Sequence, residues 1–88
     1  MSEESKLIFL SVGWEDYLYW QKTDKKILKR INELIKQYQR TPFEGIGKPE
    51  PLRVSLSGWW SRRVDHEHRL VYRHEGGNLY ILQCRKHY

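Results

Sequence analysis

The chain has 88 residues, with 16 Lys and Arg against 11 Asp and Glu, a formal charge of +5, and 14% aromatic side chains. That length gives one domain, residues 1–88, with a single modest core and no room for a second globular unit. Cys84 is the only cysteine, which excludes an intramolecular disulfide. With no apolar run approaching a signal segment or membrane span, a reducing cytoplasm is the expected setting and a membrane is not.

Met1 to Ser5 is polar and acidic and reads as an extension ahead of the fold. Lys6-Leu7-Ile8-Phe9-Leu10 is a short apolar run of strand type. Ser11, followed by Glu15 and Asp16, has the look of a helix start, because acidic side chains offset the partial positive charge of a first turn. From Trp14, the residues Tyr17, Leu18 and Gln21 share a face, giving a short helix that Thr23-Asp24 ends. Asp24 then caps the next helix, whose stripe is the strongest periodic signal in the chain: Ile27, Leu28, Ile31, Leu34, Ile35 and Tyr38. Its other face carries Lys25, Lys26, Lys29, Arg30, Lys36 and Arg40, either a solvated basic face or an RNA contact. So short a link makes the two helices a hairpin.

Two prolines and two glycines between Arg40 and Pro49 break regular structure. Strand-like runs follow at Leu52 to Leu56, Trp59 to Val64, His68 to His74 and Leu79 to Cys84, with turns at Ser57-Gly58 and Glu75-Gly76-Gly77-Asn78. The fold class is therefore α+β: an N-terminal strand, a helical hairpin, then a curved antiparallel sheet with both helices on one face. Alternation along the run from His68 sends Leu70 and Tyr72 one way and Arg69, Val71 and Arg73 the other, so Arg69 should face away from the helices into an open concave surface.

The second half of the chain also concentrates acid–base chemistry. RNA carries its own nucleophile, the 2′-hydroxyl. A protein therefore cleaves it without a metal if it removes that proton, stabilises the charge on phosphorus and protonates the leaving 5′-oxygen. Glu50, between Pro49 and Pro51, is the candidate base or simply a surface loop carboxylate. Arg69, Arg63 and Arg53 are candidate phosphate ligands, offering paired donors at any relevant pH, or plain strand charges. His87 is the candidate acid or a frayed terminal side chain, and Tyr88 stacks on a base, bonds the reacting phosphate or packs. Exposed aromatic rings beside arginines suit unpaired bases as well as a core. His66 and His68 also share a strand face at zinc-ligand spacing, but no third and fourth ligand stand at a structural interval. No cofactor is expected. No Gly-x-Ser-x-Gly elbow is present, and Cys84 lies in a run that usually buries its thiol.

Taken in order and spacing, Trp14-Glu15-Asp16-Tyr17-Leu18-Tyr19-Trp20, Ile31-Asn32-Glu33-Leu34-Ile35-Lys36, Thr41-Pro42-Phe43-Glu44-Gly45, Gly47-Lys48-Pro49-Glu50-Pro51-Leu52, Leu56-Ser57-Gly58, Ser61-Arg62-Arg63, Glu67-His68-Arg69-Leu70-Val71-Tyr72 and His87-Tyr88 resemble the YoeB toxins of bacterial type II toxin-antitoxin systems, within the RelE and ParE superfamily. The resemblance implies the microbial RNase-like fold of that family and a ribosome-dependent mRNA endonuclease that cuts codons in the A site of the 70S ribosome. It implies Glu50 as general base, His87 as general acid, Arg69 as stabiliser of the charged phosphorane, Arg63 and Arg53 as phosphate contacts, and Tyr88 as an orienting group. It also implies a YefM-type antitoxin, a homodimer, and operator DNA bound only through the antitoxin complex. Arg53 stands where the better-known members carry Lys, which exchanges a point donor for a fork. The alternative is a non-nucleolytic, ParE-like toxin that binds a protein target such as gyrase. A structural RNA-binding ribosome factor would keep the arginines but not need Glu50 and His87.

Overall fold

Local chemistry sets the elements in the order the sequence implies. The computed structural model describes residues 5–41, 43–53 and 56–86. In chain order these form β1 (Leu7–Phe9), α1 (Ser11–Thr23), α2 (Lys25–Arg40), β2 (Glu50–Pro51), β3 (Trp60–Arg63), β4 (Arg69–Glu75) and β5 (Asn78–Gln83). The sheet order is β1-β5-β4-β3-β2. β2 to β5 form an antiparallel meander, and β1 joins the far edge parallel to β5, with Leu7 opposite Leu79 and Phe9 opposite Ile81.

One residue, Asp24, separates the two helices, and its carboxylate accepts from the backbone N–H groups of Lys26 and Ile27, the cap that the sequence implies. α2 buries Ile31, Leu34, Ile35 and Tyr38 against Leu70, Tyr72, Leu79 and Ile81 of the sheet. The Tyr38 and Tyr72 rings meet edge to face at 5.2 Å.

α1 is built differently from the sequence expectation. Leu10 is its N-cap, with no side-chain bond, and no acidic residue lies in its first turn. Its sheet-facing side includes Gly13, Asp16 and Trp20, with Tyr17 packed beside them against Phe9, while Trp14 is exposed. A Cβ at Gly13 would stand 2.6 Å from the Ile81 carbonyl oxygen, so only glycine lets the helix lie this close. Asp16 Oδ2 then accepts the Cys84 N–H at 3.0 Å, and the Trp20 indole N–H donates to the Cys84 carbonyl at 2.9 Å. Spacing of three and four residues puts these three groups on one helical face, and together they clamp the end of β5.

Two features of the sheet bear on the site. Val71 pairs with Gln83 but Tyr72 pairs with Ile81, so Leu82 is an extra residue in β5. Such a bulge bends the strand and sharpens its twist, and it explains why the core positions of this strand run Leu79, Ile81, Cys84 rather than every second residue. The expected strand over Leu52 to Leu56 is corrected. The edge strand lies earlier, at Glu50–Pro51, where an outermost position tolerates a proline without an N–H, and Leu56 begins a turn whose Trp59 carbonyl receives the Leu52 N–H. Val54 and Ser55 lie outside the described residues.

Candidate functional site

Alternation on β3 and β4 sorts arginines between core and surface. Leu70 and Tyr72 point into the helix layer, so Arg69, Val71 and Arg73 point away from it, as the sequence implies. The ladder extends this across strands. Glu50 is opposite Ser61, Ser61 is opposite Val71, and Arg63 is opposite Arg69, so Glu50, Ser61, Val71, Arg63 and Arg69 share the face away from the helices. With strands about 4.8 Å apart and a rise of about 3.3 Å per residue, the Cα of Glu50 lies about 8 Å from that of Arg63 and about 12 Å from that of Arg69. Carboxylate and guanidinium groups at those separations reach a common phosphodiester.

Glu50 lies on the two-residue edge strand rather than in the loop before it. Its side chain is exposed, as are those of Arg53 and Arg63. The face is less open than alternation alone implies, because Ser61 and Val71 are buried on it. Arg69 is half-buried and held: its Nη1 donates to the Asp65 carbonyl at 2.7 Å and the His68 carbonyl at 3.1 Å. Nε and Nη2 donate to no group among the described residues. Nη1 is thus held by two carbonyl dipoles, which limits the reorganisation needed when an anion meets the other nitrogens.

His87 and Tyr88 lie outside the described residues. The residue before them does not. Lys86 sits in the left-handed region (φ +66), its N–H donates to His68 Nδ1 at 2.6 Å, and its carbonyl accepts the Arg69 N–H at 3.1 Å. The chain leading to the two terminal residues is thereby bonded to the strand that carries Arg69. His68 is buried, edge-on to Trp20 at 4.8 Å, whereas His66 is exposed. The two histidines therefore stand in different environments, and among the described residues no three His, Cys, Asp or Glu side chains gather to hold a metal ion.

Sequence reasoning missed Arg62. It is fully buried and donates to four groups: the Tyr72 hydroxyl at 3.2 Å and the carbonyls of Thr41 at 2.5 Å, Glu44 at 3.0 Å and Ile46 at 3.1 Å. It collects the loop between α2 and β2, and the Arg63 N–H adds a bond to the Gly47 carbonyl. The signal was present in the sequence, since two successive arginines in a strand cannot share a face. Arg30 is likewise structural, donating to the carbonyls of Val64 and Arg63, so the basic face of α2 is not wholly solvated. Asp65 carries the turn before β4. Burial alone would raise its carboxyl, but the His68 and Glu67 N–H groups outweigh that and leave it below the usual carboxylate range.

Residues 9–88 match the family model for the YoeB-like toxin of bacterial type II toxin-antitoxin systems. The chain is 63% identical to Toxin YoeB of Escherichia coli (strain K12) over 83 residues, which is 94% of this chain and 99% of that one. It superposes with a TM-score of 0.89 on a chain of the YoeB-YefM complex from Staphylococcus aureus, at 45% identity over 98% of this chain and all of the other. The YoeB dimer from the same organism aligns at 46% identity over the same shares of both chains, again with a TM-score of 0.89.

Proposed function

Since the chain belongs to the YoeB-like toxin family of bacterial type II toxin-antitoxin systems, we propose that it is a ribosome-dependent endoribonuclease that cleaves mRNA in the A site and stops translation. The observation that carries this reading is the register that sets Glu50, Arg63 and Arg69 on one face, with the Lys86 carbonyl bonded to the Arg69 N–H. Glu50 accepts the 2′-hydroxyl proton as the 2′-oxygen attacks phosphorus. Arg69 neutralises the charge that builds on the phosphorane, and Arg63 and Arg53 hold the non-bridging oxygens. His87 protonates the 5′-oxygen as the P–O5′ bond breaks, and Tyr88 orients the phosphate. The products are a 2′,3′-cyclic phosphate and a 5′-hydroxyl, with the 2′-proton on Glu50 and the acid proton on the leaving oxygen. Every step uses a side chain, so no cofactor enters.

By analogy with its relatives, the toxin pairs with itself and is silenced by a YefM-type antitoxin, and operator DNA is bound only by that complex. A ribosomal target places it in the bacterial cytoplasm; among the described residues no helix is long and apolar enough to cross a membrane. The test is primer-extension mapping of mRNA on programmed ribosomes with wild type, Glu50→Ala, Arg69→Ala and His87→Ala, free mRNA serving as control. A-site cuts that fall at least about 10²-fold in each variant, the usual loss on removing an acid, base or charge-stabilising group, support the mechanism. No cutting by folded wild-type protein would favour the ParE-like protein-binding alternative.

A further inference from the structure

The face that carries Glu50 does not end at the proposed phosphate site. Arg73 follows Arg69 and Val71 on the same side of β4, and the alternation is unbroken there because the bulge adds its extra residue to β5. Trp59 precedes β3, opposite Arg73 in the register that pairs Trp60 with Tyr72. The Arg73 guanidinium carbon stands 5.7 Å from the Trp59 ring centre. Gly58, in the turn beside it at φ +96, is bare enough that a Cβ there would only just touch the guanidinium, at 3.8 Å. Across β5 the partner of Arg73 is Tyr80, half-buried on the same face.

This second row lies on the opposite side of Glu50 from Arg63 and Arg69. Strand geometry puts the Trp59 Cα about 8 Å from that of Glu50 and separates Arg69 from Arg73 by about 13 Å, the reach of a dinucleotide. A half-buried indole beside a guanidinium combines aromatic surface with a positive charge, the combination that holds unstacked bases on single strands. The competing partner is Glu75, whose carboxylate meets Arg73 Nε at 3.2 Å. Both side chains of that pair are well exposed, so the bond holds Arg73 only weakly.

We propose that Trp59 and Arg73 form a base-stacking subsite that grips a nucleotide of single-stranded RNA flanking the scissile phosphate. This rests on the ribonuclease reading, and it makes the row a determinant of substrate affinity rather than of the chemical step.

The test separates binding from cleavage. In a Glu50→Gln background, fluorescence anisotropy of a labelled, fully 2′-O-methylated hexaribonucleotide gives Kd at several salt concentrations. Trp59→Leu and Arg73→Ala each weaken binding about tenfold or more, the range for loss of one stacked base, while Trp59→Phe stays within about threefold. Trp59→Leu leaves the salt slope unchanged, because no phosphate contact is lost. With Glu50 restored, cleavage on programmed ribosomes shows a raised KM and an unchanged kcat in the same variants.

Equal RNA affinity in all variants, or no RNA binding by the Glu50→Gln protein, overturns the subsite. So does selective loss of binding to a peptide from the antitoxin C-terminus with RNA affinity unchanged, since the row would then be a protein contact. RNA binding that depends on Trp59 in a protein that never cleaves would sink the nuclease reading and leave the subsite standing.

Discussion

Replacing Arg62 by Met isolates what one buried cation contributes. The substitution keeps an unbranched apolar stem and removes the guanidinium bonds to Tyr72, Thr41, Glu44 and Ile46. Bonds from a charged donor are worth about 1.5–3 kcal/mol each when a partner is left stranded. The carbonyls here belong to residues that are exposed or half-buried, so water reaches them once the loop loosens, and the penalties do not add in full. A net loss of about 2–4 kcal/mol follows, which at about 4–8 °C per kcal/mol for a chain of this size lowers Tm by about 8–32 °C. Arg62→Lys should fall between, because an ammonium keeps the charge but not the fork. Denaturant titration at constant slope, with thermal melts, gives the numbers. The loop leads directly to Glu50, so proposed cleavage should also drop at temperatures where the variant is folded. A stability change below about 0.5 kcal/mol, the level of an ordinary surface substitution, would refute the idea that Arg62 organises this loop.

Gly13→Ala should destabilise by about 1–3 kcal/mol in denaturant titration, because overpacking at the Ile81 carbonyl outweighs the helix propensity of alanine; a stabilised variant would show that the helix can shift freely. Asp24→Ala removes the α2 cap and should lose about 1 kcal/mol in the same assay. Burial, followed by the nearby Asp16 carboxylate, pushes the Cys84 thiol up to about 12. At pH 8 it should label with a thiol reagent only at the rate of unfolding, and rapid labelling of folded protein would contradict its burial. Because the unfolded thiol ionises first, this group's contribution to stability is present below its ordinary value of 9.0 and declines as pH rises from there to about 12. His68→Phe keeps a ring against Trp20 but removes the acceptor for Lys86. Proposed cleavage on programmed ribosomes should fall about tenfold through misplacement of the tail, with the melting temperature changed far less; full activity would mean that the tail is positioned without this bond.

The stripe of α2, the Asp24 cap and the hairpin turn at Gly76-Gly77, where both glycines take positive φ, were legible because each depends on neighbours in sequence. Contacts made only in three dimensions were not. Of the α1 face read from Trp14, Tyr17 packs against the core beside Phe9 while Trp14 is exposed, and the closest approach to the sheet falls at Gly13, where the Ile81 carbonyl selects against bulk. The strand expected over Leu52 to Leu56 lies instead at Glu50–Pro51, an edge position that tolerates a proline. The Leu82 bulge had no local marker, because Leu79 to Cys84 reads equally well as a regular strand. For the candidate site, Arg69 faces away from the helices as alternation implies, and the strand register adds Glu50 and Arg63 to that face. What holds Arg69 comes from the carbonyls of Asp65 and His68, which side-chain patterns do not display.

A chain of this size has one sheet to divide between core and site, and β3 shows how the division is made. Ser61 and Arg63 face one way with Glu50, while Trp60 and Arg62 face the other. Arg62 gathers the incoming loop by bonding its carbonyls, and the next residue presents the same functional group to the outer face. A slip of one residue that set Ser61 opposite Leu70 would strip the loop of its donor and turn Arg63 inward toward the position of buried Val64. The cost of that slip protects the register. The alignment of Glu50, Arg63 and Arg69 is therefore enforced by Arg62, a residue that faces away from all three.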